Sequence, residues 1–394
     1  MKFHTKRGIA RRASLAATAI IAVALLAGCS TPTQGGNTGP SAGAGAVPAS
    51  VTQAVAAGYK GNSTEPPSSS PKISRGHNVW VISAFQQVSG LAQIAREVQA
   101  AATKLGWKSS VCDGQNQPTQ WSSCIRQAVA AGADAIVLDA VDCGAVAEPL
   151  AEAKAAGVKI AAISAFDCND PSQGGGKSMF DATVGFTNDI KSTADFYEKA
   201  GRLRADWIID KTDGKAKVLH VAFKGVAIGE YLSKGFTEEL SEKCPGCSIV
   251  GTVSITPSEI GQLRQKFETG LLQATSANAI AVDLDFMLTA GVQPALVQAG
   301  VGNKVVLGGE CVQETLDYIR AGGGVQACVG LSNGRSAWSI VDQLNRVFDG
   351  DKTVKDGNGT QIIDAKHNLP KPGGPYEGAL DYRAVYAKLW SAAG

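Results

Sequence analysis

Short apolar runs alternate with amphipathic stretches along the chain from about residue 76 onward. The first run is Val79-Trp80-Val81-Ile82, and an Ala-rich helical pattern follows from Leu91 to Leu105. The pattern predicts strands at about residues 79–82, 107–112, 135–139, 159–164, 182–186, 217–223, 248–254, 279–283, 304–308 and 325–330. Continuous apolar strands separated by helices of this length form parallel sheets with both faces covered, so the pattern predicts an α/β fold.

Two segments of this region resemble each other. The sequence Ala-Asp-Ala-Ile-Val-Leu-Asp at 133–139 matches Ala-Asn-Ala-Ile-Ala-Val-Asp at 277–283, and a helix and an Ala-Gly-Val segment follow each. Parallel strands are rich in Ala, Ile and Val in any case, so chance similarity is the alternative. The shared Asp at the strand end favours an internal duplication, and hence two similar lobes.

We therefore predict two doubly wound parallel-sheet lobes joined by a hinge. Lobe one is expected to comprise residues 76–187 and about 332–362, and lobe two residues 188–331 and about 363–394. Open α/β sheets bind ligands beyond the carboxyl ends of their strands. The cleft between two facing lobes is therefore the expected binding site.

The N-terminal segment has the pattern of an export signal. Five cations and no acid precede an apolar run at 15–26, and Leu26-Ala27-Gly28-Cys29 resembles the lipobox of bacterial lipoproteins. The resemblance implies a lipoprotein signal peptide at 1–28 and acylation of Cys29, which would anchor the chain on the extracytoplasmic face of the cell membrane. An ordinary secretory signal or a short membrane anchor is the alternative, although the run is shorter than the roughly 20 apolar residues that span a bilayer.

Residues 29–75 are expected to be the lipid anchor and a flexible linker. This stretch is dominated by Gly, Pro, Ser, Thr and Ala, with only a short possible helix at 51–59. Such a composition cannot bury enough apolar surface to offset the entropy of ordering.

Composition and charge narrow the class of protein. Hydrophobic residues make up 44% of the chain and charged residues 18%, as in ordinary globular proteins. The formal net charge of +2 becomes −3 once the five cations of the signal are left out. A mildly acidic chain has no electrostatic reason to bind nucleic acid.

Eight cysteines remain after Cys29, an even number that indicates disulfides in an exported protein. The strand and helix map places four pairs near each other at strand ends and neighbouring loops: Cys112 with Cys124, Cys143 with Cys168, Cys244 with Cys247, and Cys311 with Cys328. A redox dithiol or half a zinc site is the alternative for the Cys-Pro-Gly-Cys segment at 244–247. No second close Cys pair or His cluster in the sequence completes a metal site, which favours a structural disulfide.

Catalysis has no support in the sequence. The four histidines, His4, His77, His220 and His367, do not lie where a Ser or Cys nucleophile at a strand end would need a base. Gly174-Gly175-Gly176 lacks the strand-to-helix setting of a phosphate-binding loop. We therefore expect a protein that is not an enzyme and that has no cofactor and no metal.

The order of elements resembles a known family. Gly106-Trp107 after the first helix, Ala-Ala-Gly-Ala-Asp-Ala-Ile at 130–136 and Ala-Gly-Val-Lys-Ile at 156–160 look like the type I periplasmic binding proteins, especially the ribose-binding group. The resemblance implies a monomer that captures a small-molecule solute between its lobes and delivers it to an ABC transporter permease in the membrane. A ligand sensor that presents its loaded form to a membrane partner is the alternative. LacI-type repressors share the fold, but they carry a basic helix-turn-helix where this chain has an export signal.

The residues that grip sugars in this family are mostly replaced here. The Asp-Arg pair after strand four becomes Ser164-Ala165-Phe166, and an Arg of lobe two becomes Glu230-Tyr231-Leu232. Two ligand hypotheses therefore remain: a sugar or polyol in a variant pocket, or a less hydroxylated metabolite with an apolar face and a cationic or donor-rich end. The candidate ligand-binding residues at and near these positions and elsewhere in the expected cleft are Phe85, Gln86, Gln87, Asp142, Ser164, Phe166, Glu230, Tyr231, Asp283, Asp285, Phe286, Glu310 and Asn333.

Overall fold

A computed structural model describes residues 47–393. The predicted signal at 1–28 and the predicted acylation site Cys29 lie outside the described residues. The strands are β1 (Asn78–Ser83), β2 (Lys108–Asp113), β3 (Ala135–Asp139), β4 (Lys159–Ile163), β5 (Ala182–Thr183), β6 (Lys217–Phe223), β7 (Ser248–Ile255), β8 (Ala279–Val282), β9 (Val305–Gly308), β10 (Ala327–Leu331) and β11 (Thr360–Asp364). The α-helices are α1 (Ala49–Lys60), α2 (Ser89–Lys104), α3 (Pro118–Ala130), α4 (Ala147–Ala155), α5 (Thr193–Lys211), α6 (Ala227–Lys243), α7 (Leu263–Gln273), α8 (Asp285–Met287), α9 (Gln293–Gln298), α10 (Gln313–Ala321), α11 (Asn333–Asp349) and α12 (Tyr382–Ala393).

The first sheet has five parallel strands in the order β2-β1-β3-β4-β5. Helices α2 and α11 pack on one face, and α3 and α4 pack on the other. The central strand β3 is buried along its whole length, as expected for a parallel strand covered on both faces. We call this sheet with its helices lobe one.

The second sheet has six strands in the order β11-β10-β9-β8-β6-β7. All neighbours in it are parallel except β10 and β11. Helix α5 packs against α6 and α1, and α7 packs against β7 and β6. We call this sheet with its helices lobe two. The predicted pair of doubly wound α/β lobes is thus the observed architecture.

The segment before β1 differs from the expected linker over residues 47–75. Helix α1 buries Val51 and Val55, which lie four residues apart on one face, against α5 and β11 of lobe two. The chain then runs along α11 of lobe one, where Ser70 donates a hydrogen bond to Asp342 at 2.8 Å. The two valines and these hydrogen bonds compensate the ordering entropy that the polar composition alone would not.

The C-terminal region also differs from the expected division between lobes. Strand β11 pairs antiparallel with β10 and so belongs to the second sheet, whereas the sequence predicts most of it in lobe one. The sequence predicts the segment of α12 in lobe two, but the helix packs on α11 of lobe one, and the rings of Trp338 and Trp390 stack with centroids 5.3 Å apart. Arg383 of α12 forms an ion pair with Glu97 of α2, which fixes the tail on lobe one.

Among the described residues, four disulfides join the same cysteine pairs that the predicted strands and helices indicated. They connect Cys112 with Cys124, Cys143 with Cys168, Cys244 with Cys247, and Cys311 with Cys328. The Cys244–Cys247 bridge closes the turn after α6, at the end of lobe two where β6 begins. The other three bridge segments at or next to the carboxyl ends of strands β2, β3, β4 and β9.

None of the helices formed by residues 47–393 is long and apolar enough to cross a bilayer.

Candidate functional site

A cavity of about 160 Å³ lies where the carboxyl ends of the two sheets face each other. Its volume is close to the roughly 150 Å³ of an engineered protein cavity that binds benzene. A ligand about the size of a single ring therefore fits. Lobe one contributes residues that follow β1, β2, β3 and β4, and lobe two contributes residues at the ends of β6, β7, β8 and β9. The lining residues are Ala84, Phe85, Val88, Gly90, Leu91, Ile94, Asn116, Trp121, Ala140, Ser164, Phe223, Val226, Ile228, Pro257, Ile260, Leu284, Asp285, Phe286, Glu310, Val312 and Asn333.

The walls of the cavity are mostly apolar. Four aromatic rings line it, those of Phe85 and Trp121 from lobe one and those of Phe223 and Phe286 from lobe two. Phe223 and Phe286 pack edge to face with centroids 5.0 Å apart. Trp121 is fixed because its indole N–H donates to the carbonyl of Ala84 at 3.1 Å.

The two lobes approach closely beside the cavity at the beginning of α2. A Cβ atom added at Gly90 would lie only 3.2 Å from Val312 of lobe two, and 3.3 Å from the amide of Asn333 of lobe one. Next to it, the Ser89 hydroxyl donates to Glu314 of lobe two at 2.9 Å. A glycine at this position therefore allows the lobes to close.

Glu310 and Asp285 are the two carboxyl groups that line the cavity, and they differ in their hydrogen bonds. Asp285 accepts the backbone N–H of Glu310 at 2.6 Å and the hydroxyl of Thr315 at 2.5 Å. Within residues 47–393, no group donates a hydrogen bond to the Glu310 carboxylate. Burial, together with the neighbouring Asp285, raises the pKa of Glu310 to about 7.

Three other polar side chains line the cavity. The hydroxyl of Ser164 accepts a hydrogen bond from the buried Tyr197 at 2.9 Å. The amides of Asn116 and Asn333 have no hydrogen-bond partner among the described residues, so they are available to a ligand. Asn116 follows β2, and Asn333 begins α11.

A buried arginine lies behind the acidic side of the cavity. Arg204 of α5 donates to the backbone carbonyls of Asp283 at 2.5 Å and of Gly309 at 2.9 Å. It does not line the cavity. Its guanidinium thereby ties the ends of β8 and β9 together, in place of forming a direct ion pair with either cavity carboxylate.

Asp283, a predicted ligand residue, points into lobe two instead of the cavity. Its carboxylate accepts from His220 at 2.8 Å and from the Phe223 N–H and the Ser233 hydroxyl at 3.0 Å each. Burial alone would raise the pKa of Asp283, but the His220 imidazole and these hydrogen bonds hold it below its ordinary value. Asp283, the acid at the strand end of the internal repeat, therefore stabilises the packing of lobe two and does not contact the cavity.

Asp142, Phe166 and Tyr231, also predicted ligand residues, lie where the lobes meet outside the cavity. The rings of Phe166 and Tyr231 stack across the cleft with centroids 5.2 Å apart. The Tyr231 hydroxyl donates to the carboxylate of Asp170 in lobe one at 2.5 Å. Asp142 accepts the Phe166 N–H at 3.0 Å, and burial raises the pKa of Asp142 to about 6. We call Asp170, Phe166 and Tyr231 the cross-lobe latch.

The remaining candidates are divided between the cavity and its surroundings. Glu230 accepts from Lys224 at 2.9 Å and from the Gly225 N–H at 3.1 Å, so it caps the loop before α6. Gln86 and Gln87 do not line the cavity. Six predicted ligand residues do line it: Phe85, Ser164, Asp285, Phe286, Glu310 and Asn333.

Several lining residues were missed by sequence reasoning. Asn116 and Trp121 follow β2, and Val226, Ile228 and Ile260 follow β6 and β7. These residues share a position beyond the carboxyl end of a strand, and the predicted strand ends could have identified that position. The sugar-gripping residues of the family that the sequence resembles do not lie at these positions.

Several solved structures with a similar architecture are binding proteins. A myo-inositol binding protein from Caulobacter, bound to myo-inositol, is 22% identical with a TM-score of 0.62 and covers 75% of this chain and 95% of its own. The binding component of the arabinose ABC transporter from Shewanella sp. ANA-3 is 20% identical with a TM-score of 0.62 and covers 80% and 96%. An ABC transporter solute binding protein from Mycobacterium smegmatis, with bound glycerol, is 20% identical with a TM-score of 0.60 and covers 77% and 100%. At these identities the likeness establishes the fold.

Comparison with curated protein sequences gives no match. The family comparison is positive: residues 80–352 match the periplasmic binding protein domain. This range contains both lobes except for β11 and the terminal helices, and it includes every residue that lines the cavity. The chain belongs to the periplasmic binding protein family.

Proposed function

We propose that this protein is an extracytoplasmic solute-binding protein that captures a small molecule between its lobes and delivers it to an ABC importer. The observation that carries the proposal is the cavity at the facing carboxyl ends of the two sheets, lined from both lobes. Ligand contacts made by both lobes at once exist only in the closed form. The ligand therefore stabilises that form by its difference in affinity for the two states.

The hinge is proposed to be the place where three chain segments cross between the lobes side by side. Phe186 forms an isolated bridge with Asn358, and Asn358 donates to the Gly185 carbonyl at 2.9 Å. The third segment joins β10 to α11 at Ser332. Two further segments, residues 61–77 and 365–381, also connect the lobes, since α1 and β11 lie on lobe two whereas β1 and α12 lie on lobe one. These connections together restrict the motion to opening and closing of the cleft.

The lining of the cavity favours a weakly hydroxylated ligand over a sugar. A sugar needs a partner for each hydroxyl that it buries, and every unpaired one costs about 1–3 kcal/mol. Among residues 47–393, only five polar side chains line the cavity, and the Asp285 carboxylate and the Ser164 hydroxyl already have protein partners. Four rings and several aliphatic side chains instead suit an apolar body of about one ring.

A screen of unfolding temperature against two matched sets of compounds tests the ligand class. One set contains pentoses, hexoses and inositols, and the other contains ring compounds with no more than two polar groups. We expect stabilisation by members of the second set, since a ligand that binds only the folded state raises its stability. A clear shift with a simple pentose or hexose alone would refute the weakly hydroxylated ligand but would leave solute capture intact.

We also propose that acylated Cys29 holds the protein at the membrane, close to its permease. The support is the lipobox resemblance of Leu26-Ala27-Gly28-Cys29. The full-length chain expressed in a bacterium should incorporate labelled palmitate and fractionate with membranes, whereas Cys29→Ser should do neither. Palmitate incorporation by the Ser variant would refute this assignment.

A further inference from the structure

We propose that the solute carries a cationic nitrogen, an ammonium or a comparable group, on its compact apolar body, and that Glu310 is the anion that receives it. The proposal rests on the proposed function, because it names the chemical class that the cleft selects.

The charged side chains that line the cavity are of one sign. Among the described residues that line it there are two acids, Asp285 and Glu310, and there is no Lys, Arg or His. Arg204 lies behind the lining, where its charge offsets part of the negative charge of the two acids, and it uses two of its nitrogens on backbone carbonyls. His220 is bonded to Asp283. A ligand that brings a positive charge therefore balances the cavity, while an anionic ligand would add to the repulsion.

Glu310 is distinguished from Asp285 by its unused hydrogen-bonding capacity. An ionised carboxylate accepts through two oxygens, and Asp285 uses both of its oxygens on protein donors. The Glu310 carboxylate accepts from no group within residues 47–393. A buried carboxylate without a partner is costly, so a ligand that donates to it gains more than it would in water.

The other lining groups complete the chemistry of a cation site. The amide oxygens of Asn116 and Asn333 offer two further acceptors. The rings of Phe85, Trp121 and Phe286 are apolar surfaces whose faces attract a cation, an effect that strengthens when water is excluded.

The titration of Glu310 gives the proposal a distinctive pH dependence. The groups that face Glu310 are Asp285, Arg204 and Tyr197, with the His220–Asp283 pair behind them. With a pKa of about 7 in the closed structure without ligand, the ionised fraction of Glu310 rises from about one tenth at pH 6 to about nine tenths at pH 8. A bound cation lowers that pKa, so affinity for a cation should rise about tenfold over this interval.

Binding of matched amine and alcohol pairs tests the inference, with benzylamine and benzyl alcohol as the smallest pair. Calorimetry or ligand-detected NMR on the protein at pH 6 and pH 8 is expected to show tighter binding of the amine, and an increase in affinity with pH for the amine alone. Glu310→Gln should weaken amine binding at least tenfold at pH 8 and remove the Glu310 part of the pH dependence. Asp142 also titrates near pH 6, but it remains in the variant, so the difference between the two profiles isolates Glu310.

Glu268→Gln is the matched control, because that carboxylate pairs with Arg264 on the exposed side of lobe two, away from the cavity. It should bind the amine as the unaltered protein does. Equal or tighter binding of the alcohol, no binding of any amine in the panel, or an unchanged pH profile in Glu310→Gln would overturn the inference. Binding of uncharged compounds only would leave solute capture standing while removing the cationic ligand, so the two failures are distinguishable.

Discussion

The hydrogen bond between Tyr231 and Asp170 joins the two lobes, and its loss should weaken ligand binding by destabilising the closed form. Tyr231→Phe removes the hydroxyl that donates to Asp170 at 2.5 Å but keeps the ring that stacks on Phe166. A hydrogen bond to a charged group contributes about 1.5–3 kcal/mol, and partial exposure reduces this, so we expect a loss of about 1 kcal/mol. None of the three residues lines the cavity. The substitution should therefore destabilise the closed form without removing a ligand contact.

A loss of about 1 kcal/mol corresponds to an increase in Kd of about fivefold where the unliganded protein is mostly open. The factor should be the same for every ligand, since the hydroxyl touches none of them. Calorimetry gives Kd, and energy transfer between dyes on the two lobes gives the closed fraction. Tyr318→Phe on α10 is the matched control, because among residues 47–393 its hydroxyl has no hydrogen-bond partner, and it should leave both quantities unchanged.

Asp170 also accepts from the N–H and the hydroxyl of Ser172, so Asp170→Asn alone does not isolate the cross-lobe bond. A double-mutant cycle with Tyr231→Phe does. We expect Asp170→Asn to weaken binding less in the Tyr231→Phe background than in the unaltered protein. Strictly additive effects, or a change in Kd that differs between ligands, would refute the assignment of a latch.

Three further changes test the cavity and its surroundings. Because burial raises the pKa of Glu310 from 4.5 to about 7, its contribution to stability is present at acidic pH and is lost as pH rises through 7. Glu310→Gln should therefore gain in stability over the unaltered protein between pH 5 and pH 8.5, by up to about 3 kcal/mol in urea unfolding, and a gap that does not change with pH would contradict this. Phe85→Ala should weaken ligand binding about tenfold with an unchanged circular dichroism spectrum, since removing one partly buried ring costs roughly 1.5 kcal/mol. Unaltered affinity would show that the ligand does not bind in the cavity that Phe85 lines. Replacing Cys311 and Cys328 together by Ser should lower the free energy of unfolding by about 3 kcal/mol for a loop of this length. It should also weaken ligand binding, because Cys311 follows Glu310. Full affinity in the variant would show that the disulfide does not support the binding site.

The sheets were predictable because their strands are long enough to be read from apolar runs alone. Most strand boundaries agree with the predicted ones to within about two residues, and β3 coincides with the predicted 135–139. Strand β11 was missed since it contains only two apolar residues, Ile362 and Ile363, between polar ones. Its identity as a strand depends on pairing with β10, which local sequence does not specify.

The packing of the chain ends was less predictable for a related reason. Helix α1 offers only Val51 and Val55 as strong apolar anchors, and its place on lobe two depends on distant partners such as α5. Tyr59, for example, donates to Asp364 at 2.6 Å across three hundred residues of sequence. Composition describes the average tendency of such a stretch and carries no information on these contacts.

The cavity was predictable in its location but only partly in its residues. Strand-end positions such as Phe85, Ser164 and Glu310 line it, because parallel strands bring their carboxyl ends to one edge. Asp283 holds an equivalent position but turns inward, since His220 and Ser233 offer it buried donors. The direction of a side chain at a strand end depends on such three-dimensional partners.

Three of the four disulfides lie in the segments that surround the cleft, and this limits how the site adapts to its ligand. Bridges at Cys112–Cys124 and Cys143–Cys168 hold loops of lobe one, and Cys311–Cys328 holds the segment that follows Glu310. Loops constrained in this way lose little conformational entropy when a ligand arrives, so the walls are preorganised and the hinge supplies most of the motion. Such a cleft should discriminate sharply between compounds that differ by a single methyl group, because its walls cannot repack around the difference.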